Sequence, residues 1–201
     1  MATSKDLVVQ QGKTFSLTLR WEVPPIIYKP ISAITKTAPI RITAVGHGLV
    51  NGWRCAVTDV VGMTDINPPM GVVRDASRHQ ATVVDADTIE LNAVNAASFK
   101  PYISGGYVQY NTPVNLAGMT GRMEIKDKVG GTVLLSLTTE NGGIAIDNTK
   151  KTITLKISAA ATALLAWRTG VYDLEMVSSD TDPVVTALMS GKVSVTQEVT
   201  T

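Results

Sequence analysis

The sequence contains only one cysteine, Cys55, and two histidines, His47 and His79, among its 201 residues. A single thiol cannot form an internal disulfide, and a metal centre would need carboxylates in addition to this thiol and the two imidazoles, at positions that show no ligand spacing. The histidines lie far apart and form no His-x-x-x-His pattern. We therefore expect neither a metal centre nor a cofactor, and we interpret Cys55 as a small strand residue.

The sequence also lacks a surplus of either charge, since 18 Lys+Arg oppose 17 Asp+Glu for a net charge of +1. Proteins that bind nucleic acid phosphates or anionic membranes usually carry a basic surplus. The first residues lack the basic start and apolar core of a signal peptide, and the longest helix-like apolar stretch, residues 157–167, is about half as long as a membrane span. The sequence predicts no nucleic acid partner, no membrane insertion, and neither a signal peptide nor a transmembrane segment.

Recognisable catalytic patterns are missing as well. No serine lies in a nucleophile elbow, and Cys55 lies within a predicted strand. Asp85 and Asp87 resemble part of a calcium loop, but Asp85-Ala86-Asp87 is also typical of a hairpin turn, because aspartate side chains accept hydrogen bonds from nearby backbone amides. We interpret this segment as a turn, and we predict no catalytic residues and no enzymatic activity.

The sequence does contain a repeated alternation of apolar and polar residues, which is the pattern of half-buried strands. Residues 14–22 read T-F-S-L-T-L-R-W-E, which places Phe15, Leu17, Leu19 and Trp21 on one face. The same alternation returns near the end of the chain, in residues 122–125, 151–157, 172–176, 184–190 and 192–199. Because the first segment has too few strands to bury its own apolar face, it is expected to pack on these later strands.

The middle of the chain has a different sequence pattern. After the prolines at 24, 25 and 30, residues up to about 110 form short β-like runs separated by turns. Roughly five to seven short strands in such a segment are typical of a compact barrel or a small sandwich. We therefore predict that residues 1–28 and 113–201 form one discontinuous β-sandwich domain, interrupted by a small inserted β-domain at residues 30–110.

One segment departs from the strand pattern. Residues 158–167 are rich in alanine and leucine, with Ser158 placed as an N-cap and Gly170 just beyond the end, so they predict a short helix. The predicted fold class is therefore all-β: an immunoglobulin-like β-sandwich with one short helix, interrupted by an inserted small β-barrel or sandwich domain.

Two parts of the sequence resemble known families. The middle segment resembles a module of phage virion proteins and the small β-domain called FCCH in ubiquitin-activating enzymes. The residues that carry this resemblance lie at 34–36, 42–52, 57–64, 81–91 and 102–106, including Ala44-Val45-Gly46-His47-Gly48 and Val83-Val84-Asp85-Ala86-Asp87. The flanking sandwich, with Gln11-Gly12-Lys13-Thr14-Phe15 and Gly170-Val171-Tyr172-Asp173-Leu174-Glu175, is similar to the N-terminal domains of phage baseplate upper proteins and tail appendages.

These resemblances imply a structural protein of the bacteriophage virion, of the tail, baseplate or collar type, assembled in the host cytoplasm. The sandwich would attach the chain to other virion proteins and to copies of itself in a symmetric oligomer, and its edge strands could be used for docking. Two alternatives remain open: a capsid decoration or cement protein, and a receptor-recognition module that binds a host surface glycan. Ubiquitin chemistry is not implied.

The aromatic residues are the remaining candidates for a site. Trp21 and Trp167 are predicted to be core residues, because the first continues an inward face and the second ends the predicted helix. Trp53 and Tyr107 are predicted to be exposed interaction residues. A glycan-binding module would place these two on one exposed patch, where aromatic rings stack on sugars.

Overall fold

The computed structural model describes residues 3–198, which consist almost entirely of β-strands and turns. In chain order the strands are β1 (Thr3–Ser4), β2 (Leu7–Gln10), β3 (Phe15–Leu19), β4 (Glu22–Pro30), β5 (Ala33–Thr35), β6 (Ile40–Thr43), β7 (Arg54–Val61), β8 (His79–Val83), β9 (Thr88–Leu91), β10 (Ser104–Pro113), β11 (Thr120–Lys126), β12 (Val133–Thr138), β13 (Ile144–Asp147), β14 (Thr152–Ile157), β15 (Thr169–Val177) and β16 (Val185–Thr196). The one α-helix of this described part, α1, is Ala159–Ala163, and 3-10 turns lie at Thr64–Ile66, Pro69–Gly71 and Asp75–Ser77. The prediction of an all-β sandwich fold with one short helix is confirmed.

The chain divides into two compact units. The sandwich unit comprises the described residues up to Trp21 and from Val114 onward, and the inserted unit is Glu22–Pro113. The sequence had assigned residues 22–28 to the sandwich, but they form most of β4 in the inserted unit. The reason is that β4 pairs with β10 on both sides of Pro24 and Pro25, which have no partner at a register shift, so these prolines do not end the strand.

The sandwich unit contains two sheets. One has the order β1-β16-β15-β11-β12, with β2 also paired to β16, and the other has the order β13-β14-β3. Inward side chains of both sheets join in one apolar core that includes Leu7, Met123, Leu155, Leu174 and Val193. The predicted inward face of the first segment, from Phe15 to Trp21, packs against this core, and its side chains remain half-buried.

Helix α1 begins where the sequence predicts and ends earlier. The Ser158 side chain accepts a hydrogen bond from the Ala161 amide at 3.2 Å, which confirms it as the N-cap. The helix stops at Ala163 with Leu164 as its C-cap; Leu164 is 84% exposed, and the buried Leu165 already lies beyond the helix. Within residues 3–198, no helix has the length and apolar composition needed to cross a membrane.

The inserted unit contains one seven-stranded sheet with the order β4-β10-β7-β8-β9-β6-β5. Its two end strands, β4 and β5, are consecutive in the chain, and the residues between them bridge the sheet: Ile31 donates to Gly106 O at 3.0 Å, and Ser32 donates to Thr43 O at 2.9 Å. Among the described residues no ladder joins β4 to β5, so the sheet curls around its core without closing into a barrel.

The two segments of the sandwich unit meet where the insertion leaves and returns. The Val114 amide donates a hydrogen bond to the Trp21 carbonyl at 3.0 Å. In the inserted unit, Glu22 and Pro113 follow as a cross-strand pair. The insertion therefore starts and ends at adjacent points, as expected for a segment that replaces a short turn.

Candidate docking surface

The prediction that Trp53 is an exposed interaction residue is wrong. Its side chain is 0% exposed and belongs to the core of the inserted unit. The backbone holds it there, because Trp53 N donates to Val50 O at 2.9 Å and Trp53 O accepts from Ala81 N at 2.9 Å. A signal was present in the sequence: Trp53 immediately precedes β7 and has the same parity as the inward residues Cys55 and Val57, on the other side of the exposed Arg54.

Tyr107, in contrast, is 40% exposed on β10. Its ring contacts that of Tyr28 on β4 edge-to-face, with ring centroids 6.0 Å apart and an interplanar angle of 89°. Tyr28 is 53% exposed, and Ile26, two residues earlier on the same side of β4, is 41% exposed. These three side chains form an apolar and aromatic surface, which we call the tyrosine face.

The tyrosine face spans β10 and the end strand β4, whose backbone edge is poorly suited to pairing. Three residues of β4 are prolines, Pro24, Pro25 and Pro30, and a proline has no amide hydrogen to donate to a neighbouring strand. Such prolines are a common protection of sheet edges against unwanted strand addition. The surface is therefore suited to contact through side chains, which tyrosines do well because each ring is apolar and ends in a hydroxyl.

The edge-to-face geometry also bears on sugar binding. A sugar stacks on the flat face of an aromatic ring, and rings at 89° to each other do not offer one continuous platform. With Trp53 in the core, the two residues predicted to share an exposed patch are not brought together on the surface. This arrangement favours a protein contact over a stacked glycan.

The residues that most resembled a catalytic or metal set have structural roles. His47 is buried, with Nδ1 accepting from Leu49 N at 3.0 Å and Nε2 placed 3.0 Å from Asp85 O, so the ring connects two turns by hydrogen bonds. Asp85 accepts from Asp87 N at 2.8 Å, and this amide holds the pKa of Asp85 below its ordinary value. The Asp85–Asp87 segment is thus the predicted turn.

Cys55 lies opposite His79 in the β7–β8 ladder. These two residues are therefore the candidates for a catalytic thiol–imidazole pair. Burial raises the pKa of the Cys55 thiol to about 12, against a smaller lowering by Arg78. Burial also lowers the pKa of His79. The thiol is therefore protonated and inaccessible at neutral pH, which is unfavourable for a nucleophile. In the part of the chain that the structure describes, no three His, Cys, Asp or Glu side chains come together as metal ligands would.

Both units also have concave surface regions. On the sandwich unit, a charged trough of about 640 Å³ lies over the outer face of β11, β15 and β16. Its side chains pair with each other, as in Arg122 with Glu175 at 2.7 Å and Lys126 with Glu124 at 2.8 Å. Exposed pairs of this kind contribute little energy, and we interpret the trough as a solvated face.

The second concave region, of about 310 Å³, lies in the inserted unit between the 3-10 turns and residues 93–99. Phe99, Ile66 and Val94 are among its apolar lining residues, and His79 and Asp65 are its titratable groups. Its size suits a small molecule, but the tyrosine face offers more exposed aromatic surface and is the stronger candidate.

Comparison with known proteins adds no identification. No known family model matches the chain, and no curated protein matches it.

Proposed function

We propose that the chain is a non-enzymatic structural subunit of a bacteriophage particle, associated with the tail, collar or baseplate. In this proposal the sandwich unit docks to other virion proteins, and the inserted unit contacts a neighbouring chain through the tyrosine face. The sequence resemblances described above support the virion assignment. The observation that carries the docking role is the exposed cluster of Ile26, Tyr28 and Tyr107.

Physical chemistry supports a protein as the occupant of the tyrosine face. Tyrosine is enriched in protein interfaces, where it buries a large apolar area and loses little conformational entropy. Each exposed ring contact is weak by itself, but symmetric repetition in a particle multiplies weak contacts. Such a subunit needs no catalytic group.

The test is electron microscopy of intact particles of the source phage. We expect density for the chain at the tail, collar or baseplate, in tens of copies or fewer, with the tyrosine face covered by another chain. Hundreds of copies on the capsid surface would favour the decoration alternative, and absence of the chain from purified particles would overturn the proposal.

A variant experiment isolates the tyrosine face. Particles carrying Tyr28→Ala with Tyr107→Ala should incorporate the subunit at least about tenfold less, because loss of buried aromatic anchors typically costs more than about 1 kcal/mol each. Met70→Ala is the matched control, since Met70 is also an apolar side chain of the inserted unit and is 83% exposed. Equal incorporation of all three proteins would contradict the docking role of the tyrosines. Saturable binding on a glycan array that the tyrosine variant loses would favour the glycan alternative.

A further inference from the structure

Strand β3 lies at the end of the three-stranded sheet of the sandwich unit. It pairs only with β14, from Phe15 opposite Ile157 to Leu19 opposite Ile153. Within residues 3–198, the backbone of Phe15–Leu19 makes no hydrogen bond to any other backbone group. One side of β3 therefore presents unpaired amide and carbonyl groups, which is the arrangement that accepts an added strand.

The other end strands are shorter than β3 or are blocked; the uncharged β2, which pairs only with β16, has four residues. The β4 edge contains three prolines, β1 and β5 have two and three residues, and β13 has four and ends in the charged Asp147. On β12, the Asn141 side chain caps the outer edge: its Nδ2 donates to Ser136 O at 3.0 Å, and its Oδ1 accepts from Thr138 N at 2.9 Å.

Strand β3 carries none of the usual protections of an edge. Its sequence, Phe-Ser-Leu-Thr-Leu, contains no proline, glycine or charged residue. Its apolar side chains at 15, 17 and 19 pack on the sandwich core but remain only half-buried. An added strand would cover the flanks of these side chains as well as pair the backbone.

The pattern of β3 is symmetric about its centre, Leu17. In an antiparallel pairing of two copies of β3 centred on this residue, Phe15 of each copy faces Leu19 of the other, and Ser16 faces Thr18. All apolar side chains then lie on the core side and all hydroxyls on the solvent side, with no like charges opposed. A surface that is complementary to itself in this way is what a twofold dimer requires.

We propose that β3 is a self-association edge, through which two copies of this chain pair antiparallel about a twofold axis at Leu17. The three-stranded sheets then join into one continuous six-stranded sheet. This inference deepens the proposed assembly role and rests on it for its biological use, because it names a second copy of the chain as one partner of the sandwich. Five residues per copy form an interface smaller than the roughly 1,200 Å² of a standard complex, so the pairing should be weak and concentration-dependent in the isolated protein.

Cysteine cross-linking of the purified full-length chain tests the register. Leu17→Cys should form a disulfide dimer on mild oxidation, since directly opposed residues of antiparallel strands lie within the Cα separation that a disulfide spans. A mixture of Ser16→Cys and Thr18→Cys should form mixed dimers, whereas each alone should form few. This second pair keeps the test valid if Leu17→Cys disturbs folding, because both side chains are exposed.

Two controls set the background of this experiment. Wild-type protein contains only Cys55, which is buried, and Val129→Cys places a thiol at a hairpin residue that is 90% exposed and reports random collision. We expect the β3 cysteines to cross-link at least about fivefold faster than Val129→Cys. Cross-linking at the rate of the Val129 control, together with a monomer by sedimentation at all accessible concentrations, would overturn the proposal. Because the assay uses purified protein, its failure is distinguishable from failure to find the chain in particles.

Discussion

The sandwich unit and the inserted unit differ in what their surfaces expose. The inserted unit buries its tryptophan and its end strand contains prolines, yet it exposes tyrosines on the face of that strand and of its neighbour β10. The sandwich unit has a charged outer face on its larger sheet, yet it leaves β3 as an uncharged edge with half-buried apolar side chains. One unit is suited to contact through side chains and the other to contact through the backbone.

This difference shows why the two kinds of contact need separate tests. Side-chain contacts depend on a few large residues and are removed by truncation to alanine. Backbone pairing tolerates side-chain changes and depends on unpaired amides at a strand edge. Four experiments test whether the two units differ in this way.

The largest effect is expected from removing the inserted unit. Because Val114 N and Trp21 O are hydrogen-bonded, deletion of residues 22–113 with a short turn in their place should leave the sandwich core intact. We expect a β-type circular dichroism spectrum and one cooperative urea transition, observed through Trp21 and Trp167. Loss of the cooperative transition would show that the sandwich cannot fold without the insertion.

Core truncations should separate the stabilities of the two units. Trp53→Ala should destabilise the inserted unit by about 3–5 kcal/mol, and Leu155→Ala should destabilise the sandwich unit by about 2–5 kcal/mol, because both side chains are 0% exposed. Hydrogen exchange with peptide-level resolution would show which unit opens. If either variant destabilised both units equally, the two units would unfold as one cooperative block. They would then differ in their surfaces but not in their stabilities.

A smaller effect is expected at the capped edge of β12. Asn141→Ala removes the hydrogen bonds to Ser136 and Thr138, which should cost about 0.5–2 kcal/mol in urea unfolding. It should also expose an edge resembling that of β3 and increase self-association, measured by sedimentation. Lys150→Ala, a change of an exposed residue in another turn of this unit, is the control. Unchanged sedimentation would show that Asn141 stabilises its turn without protecting the edge.

The smallest effect is a difference in alkaline stability. Burial raises the pKa of Cys55 from 9.0 to about 12 in the inserted unit, and burial, followed by Asp6 and Asp173, raises the pKa of Tyr172 from 10.0 to about 12 in the sandwich. The folded state holds both protons more tightly, so the stabilisation is complete below the unfolded pKa and is lost as pH rises towards the folded value. The inserted unit should weaken above pH 9 and the sandwich only above pH 10.

Urea midpoints at pH 8–11 would measure this onset for each unit. Cys55→Ala should abolish the loss between pH 9 and 10, and Tyr172→Phe should leave that interval unchanged. If the stability of the wild-type inserted unit were constant between pH 9 and 10, the raised pKa of Cys55 would not be the cause of its alkaline sensitivity.

Local patterns in the sequence predicted much of the fold. The alternation from Phe15 to Leu19, the Ser158 cap and the Asp85–Asp87 turn each depend on neighbours within a few residues, so they can be read directly. The boundary at Trp21 could not, because prolines at 24 and 25 are typical of a strand end, whereas the distant strand β10 pairs with β4 on both sides of them.

The candidate sites show the same division. Tyr107 was predicted as exposed, but its partner Tyr28 was missed, because only the β4–β10 pairing brings them together. Trp53 was misjudged although its alternation with Arg54 was visible, since an aromatic at a strand start can face either side.

By itself, the sequence determined that this protein is built from strands, where most of them turn, and which side chains alternate. Only the tertiary structure decided which strands are neighbours, and hence which edges stay unpaired and which aromatic rings meet. The physical reason is that alternation is a property of one strand, whereas burial and free edges are properties of its partners, which lie far away in the chain.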